Sequence, residues 1–247
     1  SDKVGARLAQ IEGGDLANAI PREAGALVTV PDDQVAAFLQ GAAEFEAIVQ
    51  AELAAVEPGL RVQVAPARLP AKVMDAQAQR TLLDALYATP QGVMRMSDAV
   101  PGLVETSTNL GIVKAGAGAL EVTYLLRSSV DTELDDLGQM IASVWRLAGI
   151  EVAFSGGYSG WKPNPDSSIL LLMQAVYQEM YGEAPVVSAV HAGLECGTVS
   201  AMYPGMDAIS IGPTLENVHS PGERMQVASV AKLYDFLLET LRRVPEQ

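Results

Sequence analysis

Histidine and cysteine are nearly missing from this chain, which holds two of the first and one of the second in 247 residues. A closed structural zinc site wants four nitrogen or sulfur ligands, so His191, His219 and Cys196 cannot build one between them. A single cysteine also excludes an internal disulfide framework and fits a reducing compartment. Positive charge is scarce too: 16 Lys and Arg stand against 30 Asp and Glu, for a net charge of −14. That balance argues against a nucleic-acid surface, whose affinity rests on neutralising phosphates. No apolar run approaches the roughly 18 residues of a membrane-spanning helix, and no stretch reads as a signal peptide. No P-loop or dinucleotide fingerprint occurs, and "GAGAL" at 116–120 lacks the third glycine and the helix after it. The expectation is a cytoplasmic protein with neither nucleic acid nor membrane as partner.

What is present is material for sizeable cores, with 49% hydrophobic residues. Residues 6–12 and 24–30 read as strands, 31–56 as a helix and 60–66 ("LRVQVAP") as a further alternating strand. Residues 75–90 form a second predicted helix. Residues 102–130 read as two strands joined by a glycine-rich turn at Gly116–Gly118, and 131–149 as a third helix, with Asp131 as N-cap and Gly149 as its stop. "IEVAFSGG" adds a strand. The order strand, turn, strand, helix, strand thus occurs twice, over 6–64 and 103–154, which predicts a duplicated β-β-α-β unit of α+β type.

"YSGWKPNPDSS" interrupts this rhythm with two prolines and small polar residues, and marks a domain boundary between 160 and 166. Beyond it, helix 167–182, strand 185–193, short helix 194–202, strand 207–214 and helix 225–244 alternate in α/β fashion. With two strands in about 80 residues, this segment is expected to be part of a larger sheet.

"GGDLANAIPRE" (13–23) places Asn18, with its donors and acceptor, between glycines that accept positive φ and a proline that fixes its own φ. It is either a wide hairpin or a device that aims Asn18. Arg127 ends the alternating "EVTYLLR", either to clamp a carboxylate bidentately or to cap the sheet with a surface ion pair. In "ENVHSPGERM", Ser220, Pro221 and Glu223 have the spacing of a capping box, which would hold His219 just before a helix start. An oriented histidine suits metal ligation, although an isolated loop histidine is more often not a ligand. "VHAGLECGTV" reads as a strand-to-helix turn whose N–H groups could receive a carboxylate. Cys196 beside it reads as a small buried thiol, with a Cys–His nucleophile pair as the alternative.

Taken together, "GGDLANAIPREA", "VETSTNLGIV", "LLRSSVD", "GWKPNPDSS", "HAGLECG", "SIGPT" and "HSPGE" occur in an order and at spacings that resemble the aminoacyl-histidine (Xaa-His, peptidase D) dipeptidase group of zinc-dependent peptidases, which includes carnosinase. The resemblance covers the whole chain. It implies a lid domain over 1–160, similar to a dimerisation domain, and the C-terminal segment of a catalytic domain over 166–247. It further implies that His219 is the last metal ligand and that Asn18 contacts the substrate carbonyl or developing oxyanion. Arg127 and Gly193 are implied to bind substrate. The family's two zinc ions also need a His-x-Asp motif and a Glu-Glu pair, and neither string occurs here. The implied partners are a dipeptide substrate and an N-terminal catalytic half not contained in these residues; a duplicated lid can imitate a dimer interface within one chain, so monomer and homodimer both stay open. This chain alone is then expected to bind zinc weakly and to be inactive. The contrasting reading is a non-catalytic peptide-binding or association module derived from such a lid.

Overall fold

A computed structural model describes residues 4–157, 159–189, 194–218 and 222–244. Five strands, β1 (Arg7–Gly13), β2 (Ala24–Thr29), β3 (Gly92–Met96), β4 (Val104–Gly116) and β5 (Ala119–Ser128), share one sheet. Its order is β2-β1-β4-β3, with β5 also paired to β4. The helices are α1 (Val35–Leu53), α2 (Ala76–Ala88), α3 (Asp131–Leu147), α4 (Ser168–Tyr181), α5 (Glu195–Met202) and α6 (Val227–Arg243). The remaining strands are a short antiparallel pair, β6 (Leu215–Glu216) and β7 (Arg224–Met225). The chain divides into two compact units, Ser1–Gly92 with Thr108–Leu126 and Gln139–Val152, and Val93–Ser107 with Arg127–Gly138 and Ala153–Gln247.

In the first unit β1 runs antiparallel to β2, from Arg7↔Thr29 to Gly13↔Ala24, and antiparallel to β4, from Gln10↔Gly116 to Gly13↔Val113. β4 turns into β5 through Ala117 (φ 52°) and Gly118 (φ 86°). Two positive φ values are what a tight two-residue hairpin loop demands, and the glycine meets that demand without strain. The register of β1 slips between Leu8 and Gln10. There the buried Gln79 of α2 serves the backbone: its Oε1 accepts from Leu8 N–H (2.8 Å) and its Nε2 donates to the Ala6 carbonyl (3.1 Å). Ala6, Leu8, Leu82 and Ala85 are buried in the same region. Asp75 caps α2 by accepting from Gln77 and Ala78 N–H, and these bonds hold its carboxyl below the usual range.

The second unit is built on α4 and α6, where Met173, Val176 and Phe236 form a core flanked by Ile169, Leu172, Tyr177, Met180, Tyr181 and Ile209. Ser167 caps α4 through Leu170 N–H, and Gly182 closes it in the left-handed region (φ 74°). Asp207 adds a second cap, accepting from Ile169 N–H (3.0 Å) and Ser168 Oγ (2.9 Å). Lys232 lies over the rings of Tyr177 and Tyr181 and donates to the Tyr177 hydroxyl (2.6 Å).

Both predicted repeats show strand, strand, helix, but neither closing strand forms. Residues 60–66 sit in no ladder; Val62 N–H goes to the Glu46 carboxylate of α1, and Gln50 Nε2 donates to the Leu60 carbonyl. Residues 150–157 are likewise outside any sheet, as are the described parts of the predicted strands 185–193 and 207–214. Alternation marks a stretch that fits a sheet face, but a strand also needs a neighbour with free edge groups. Asp131 is the first residue of α3 rather than its cap, since Leu134 N–H bonds the Val130 carbonyl, and its Oδ1 accepts from Gly160 N–H (2.7 Å). Ser220 and Pro221 of the expected capping box lie outside the described residues; beyond Glu223, Arg224 and Met225 form β7, and α6 begins at Val227.

Two outcomes follow for stability. Gln79→Ala strands one buried donor and one buried acceptor, at a cost of about 1–3 kcal/mol each. Urea denaturation should therefore register a loss of about 2–6 kcal/mol, whereas a loss under about 0.5 kcal/mol would show that water replaces the amide. For Asp207, the Ser167 side chain and then the Ile169 N–H hold the carboxyl below its ordinary value. A depressed carboxyl stabilises the fold above its unfolded value of about 3.9 and loses that contribution as pH falls through the folded value. Asp207→Asn should consequently be less stable than wild type at pH 6, with the gap closing towards about pH 2. A gap of constant size would contradict this.

Candidate substrate-binding site

The loop joining β1 to β2 spans residues 14–23, far longer than a tight hairpin needs. Such a loop is ordinarily loose, yet this one is seated on β4 between Gly14 and Ala19. Gly14 has φ 73°, and a Cβ there would run into the backbone of Gly111 and within 2.9 Å of the Pro21 ring. A Cβ on Gly111 would in turn lie 2.5 Å from Ala17 Cα. Loop and strand therefore touch backbone to backbone, an approach that only glycine on both sides permits. Ala19 N–H closes a turn on the Leu16 carbonyl (3.3 Å).

Asn109, facing this loop from β4, completes the seat. Its Nδ2 donates to the carbonyls of both Ala17 and Ala19, each at 2.8 Å. These residues flank Asn18, which is itself exposed at the crest of the turn. The main chain on both sides of Asn18 is thus fixed while its side chain stays available to a ligand. Asn109 is the residue that sequence reading passed over. Its signal was an asparagine inside the long strand "VETSTNLGIV", where asparagine is normally depleted, two positions before a glycine on the same face.

Arg127 lies half-buried near the end of β5 and shares its side of the strand with Leu125 and Thr123. Asn18 belongs to the first unit and Arg127 to the second. Gly193, His191 and His219 lie outside the described residues. Cys196 is a half-buried free thiol on α5. Its neighbour Gly197 is buried; a Cβ there would lie 2.7 Å from the Ser159 carbonyl oxygen and 3.3 Å from Trp161 Cβ. Gly160 is similarly pressed against Ser129, where a Cβ would stand 2.6 Å from the carbonyl. Gly160 of "GWKPNPDSS" and Gly197 of "HAGLECG" are therefore both closely packed within the second unit. Among the described residues, no group of three or more His, Cys, Asp or Glu side chains is arranged to hold a metal ion. No helix among them is long and apolar enough to cross a membrane.

No family model matches the chain. The cytosol non-specific dipeptidase of Escherichia coli is 36% identical over 245 residues, which are 99% of this chain and 50% of that protein. A succinyl-diaminopimelate desuccinylase of Alkalilimnicola ehrlichii is 27% identical over 148 residues, or 56% of this chain and 39% of the relative. The crystal structure of aminoacylhistidine dipeptidase from Vibrio alginolyticus matches with a TM-score of 0.92 at 36% identity, over 100% of this chain and 50% of that one. The chain spans about half the length of the dipeptidases it matches. Both matches extend over nearly every residue of the chain, which is homologous along its length to about half of each of these two dipeptidases.

Proposed function

We propose that the complete protein is a zinc-dependent, cytoplasmic dipeptidase that accepts Xaa-His dipeptides, and that these residues supply its lid (1–160) and the C-terminal segment of its catalytic domain (166–247). The observation that carries this reading is the seated loop, which presents an exposed Asn18 from a fixed main chain. A donor fixed in advance favours charge developing on an oxygen, because it need not reorganise when the charge appears.

In this reading Asn18 Nδ2 donates to the scissile carbonyl oxygen as it becomes an oxyanion. Arg127 receives the substrate's C-terminal carboxylate, and its planar fork aligns the peptide bond as well as binding it. Gly193 lets the main chain approach the dipeptide where a Cβ would intrude. His219 would hold one of two zinc ions through a neutral imidazole nitrogen. Zinc, when bound, would supply Lewis-acid chemistry that lowers the pKa of a water and polarises a carbonyl. The remaining ligands and the general base are proposed to come from a metal-binding half outside these residues, since the chain contains no His-x-Asp or Glu-Glu string.

A homodimer is proposed on the strength of α1, which buries none of its residues and leaves Phe45 and Ile48 exposed at 56% and 55%. Sedimentation of wild type and Phe45→Glu tests it. A dimer that dissociates on substitution is expected, and a monomeric wild type would remove the proposal.

The catalytic reading is tested with the full-length protein on a Xaa-His dipeptide. Asn18→Ala should lower kcat by about 10²-fold or more with zinc content unchanged. Arg127→Ala should weaken binding of the free acid and abolish the preference for it over the C-terminal amide. The 247-residue chain assayed alone with zinc should show no turnover above a metal-only blank. Full kcat in Asn18→Ala, an unchanged acid-to-amide preference in Arg127→Ala, or turnover by the chain alone would each contradict the corresponding role.

A further inference from the structure

We infer that Asn109 is a positioning residue for Asn18, so that a strand side chain without any substrate contact sets the efficiency of the loop donor. The catalytic consequence rests on the dipeptidase reading above; the seating of the loop does not.

A side-chain amide nitrogen carries two donors. Those of Asn109 go to the carbonyls one residue before and one residue after Asn18. The contacts bridge sequence separations of 92 and 90 residues. They tie the crest of the loop to a strand that pairs directly with β1 at Gly13↔Val113. Gly111, two positions along the same face of β4, touches the backbone of Ala17 and prevents the crest from sinking or sliding. The main-chain position of Asn18 is therefore set by the strand, leaving χ1 and χ2 as its local freedom. Leu16 and Ile20, exposed at 63% and 83%, cannot anchor the loop by burial. Polar contacts and close backbone packing hold it instead.

Asn109→Asp keeps the shape of the side chain but sets an acceptor-only carboxylate against two carbonyls. In the full-length enzyme, kcat on a Xaa-His dipeptide should fall about 10–100-fold, because a misplaced donor loses transition-state stabilisation. KM should stay within about 3-fold and zinc content should be unchanged. The decisive reading is the double-mutant cycle. On an Asn18→Ala background, Asn109→Asp should cost less than about 3-fold further, since the group being positioned is gone. An equal penalty in both backgrounds would mean that Asn109 acts elsewhere and would overturn the inference.

A second measurement does not use activity. Amide hydrogen exchange over residues 14–21 should accelerate at least about 10-fold in Asn109→Asp while α2 and α4 are unaffected. Should the aspartate variant not fold, Asn109→Ala is read in the same two ways. Absence of dipeptidase activity in wild type would remove the functional reading, whereas unchanged loop exchange in the Asn109 variants would remove this inference.

Discussion

The donation of one side-chain amide to two loop carbonyls, Asn109 to Ala17 and Ala19, is the contact on which the candidate site depends. A ten-residue connection with exposed Leu16 and Ile20 has little burial of its own to order it. Ordering such a segment costs about 1–2 kcal/mol per residue in backbone entropy, and each neutral hydrogen bond returns about 1 kcal/mol. Two such bonds cannot balance that alone. The glycine-to-glycine approach at Gly14 and Gly111 adds close packing, and Pro21 removes freedom from the unfolded loop as well.

The same device recurs in the second unit with a different purpose. Gly160 lies against Ser129 while its N–H is held by Asp131, and Gly197 brings α5 onto residues 159–161. Neither glycine has a positive φ, so the demand there is for space rather than for backbone freedom. A segment with two prolines and no regular structure is in this way fixed at its start. At its end, Ser167 is buried and caps α4.

Most elements could be read from the sequence because periodicity reports which face of a segment is apolar. The helices at 35–53, 76–88, 131–147, 168–181 and 195–202 fall where the pattern places them, and Gly149 and Gly182 end theirs with positive φ. Failures occurred where a residue's partner is distant in sequence. "LRVQVAP" alternates well, yet Glu46 and Gln50 of α1 take backbone groups that a ladder would use. Asp131 has the residue type of a cap, but the helix starts one residue earlier, on the Val130 carbonyl, and one Asp131 oxygen accepts from Gly160. The last predicted helix was placed from Met225, but Met225 pairs with Leu215 and α6 begins at Val227. Asn18 was legible as a side chain between rigid devices. Asn109, which completes the arrangement from some ninety residues away, was not.

The central claim is that Asn18 is held ready before any ligand arrives, and backbone ¹⁵N relaxation of the ligand-free protein tests it most directly. Order parameters of about 0.85 at Ala17, Asn18 and Ala19, equal to those of β4, are the predicted result. Values below about 0.6 at these three residues, with β4 rigid, would show a loop that is not seated and would contradict the account.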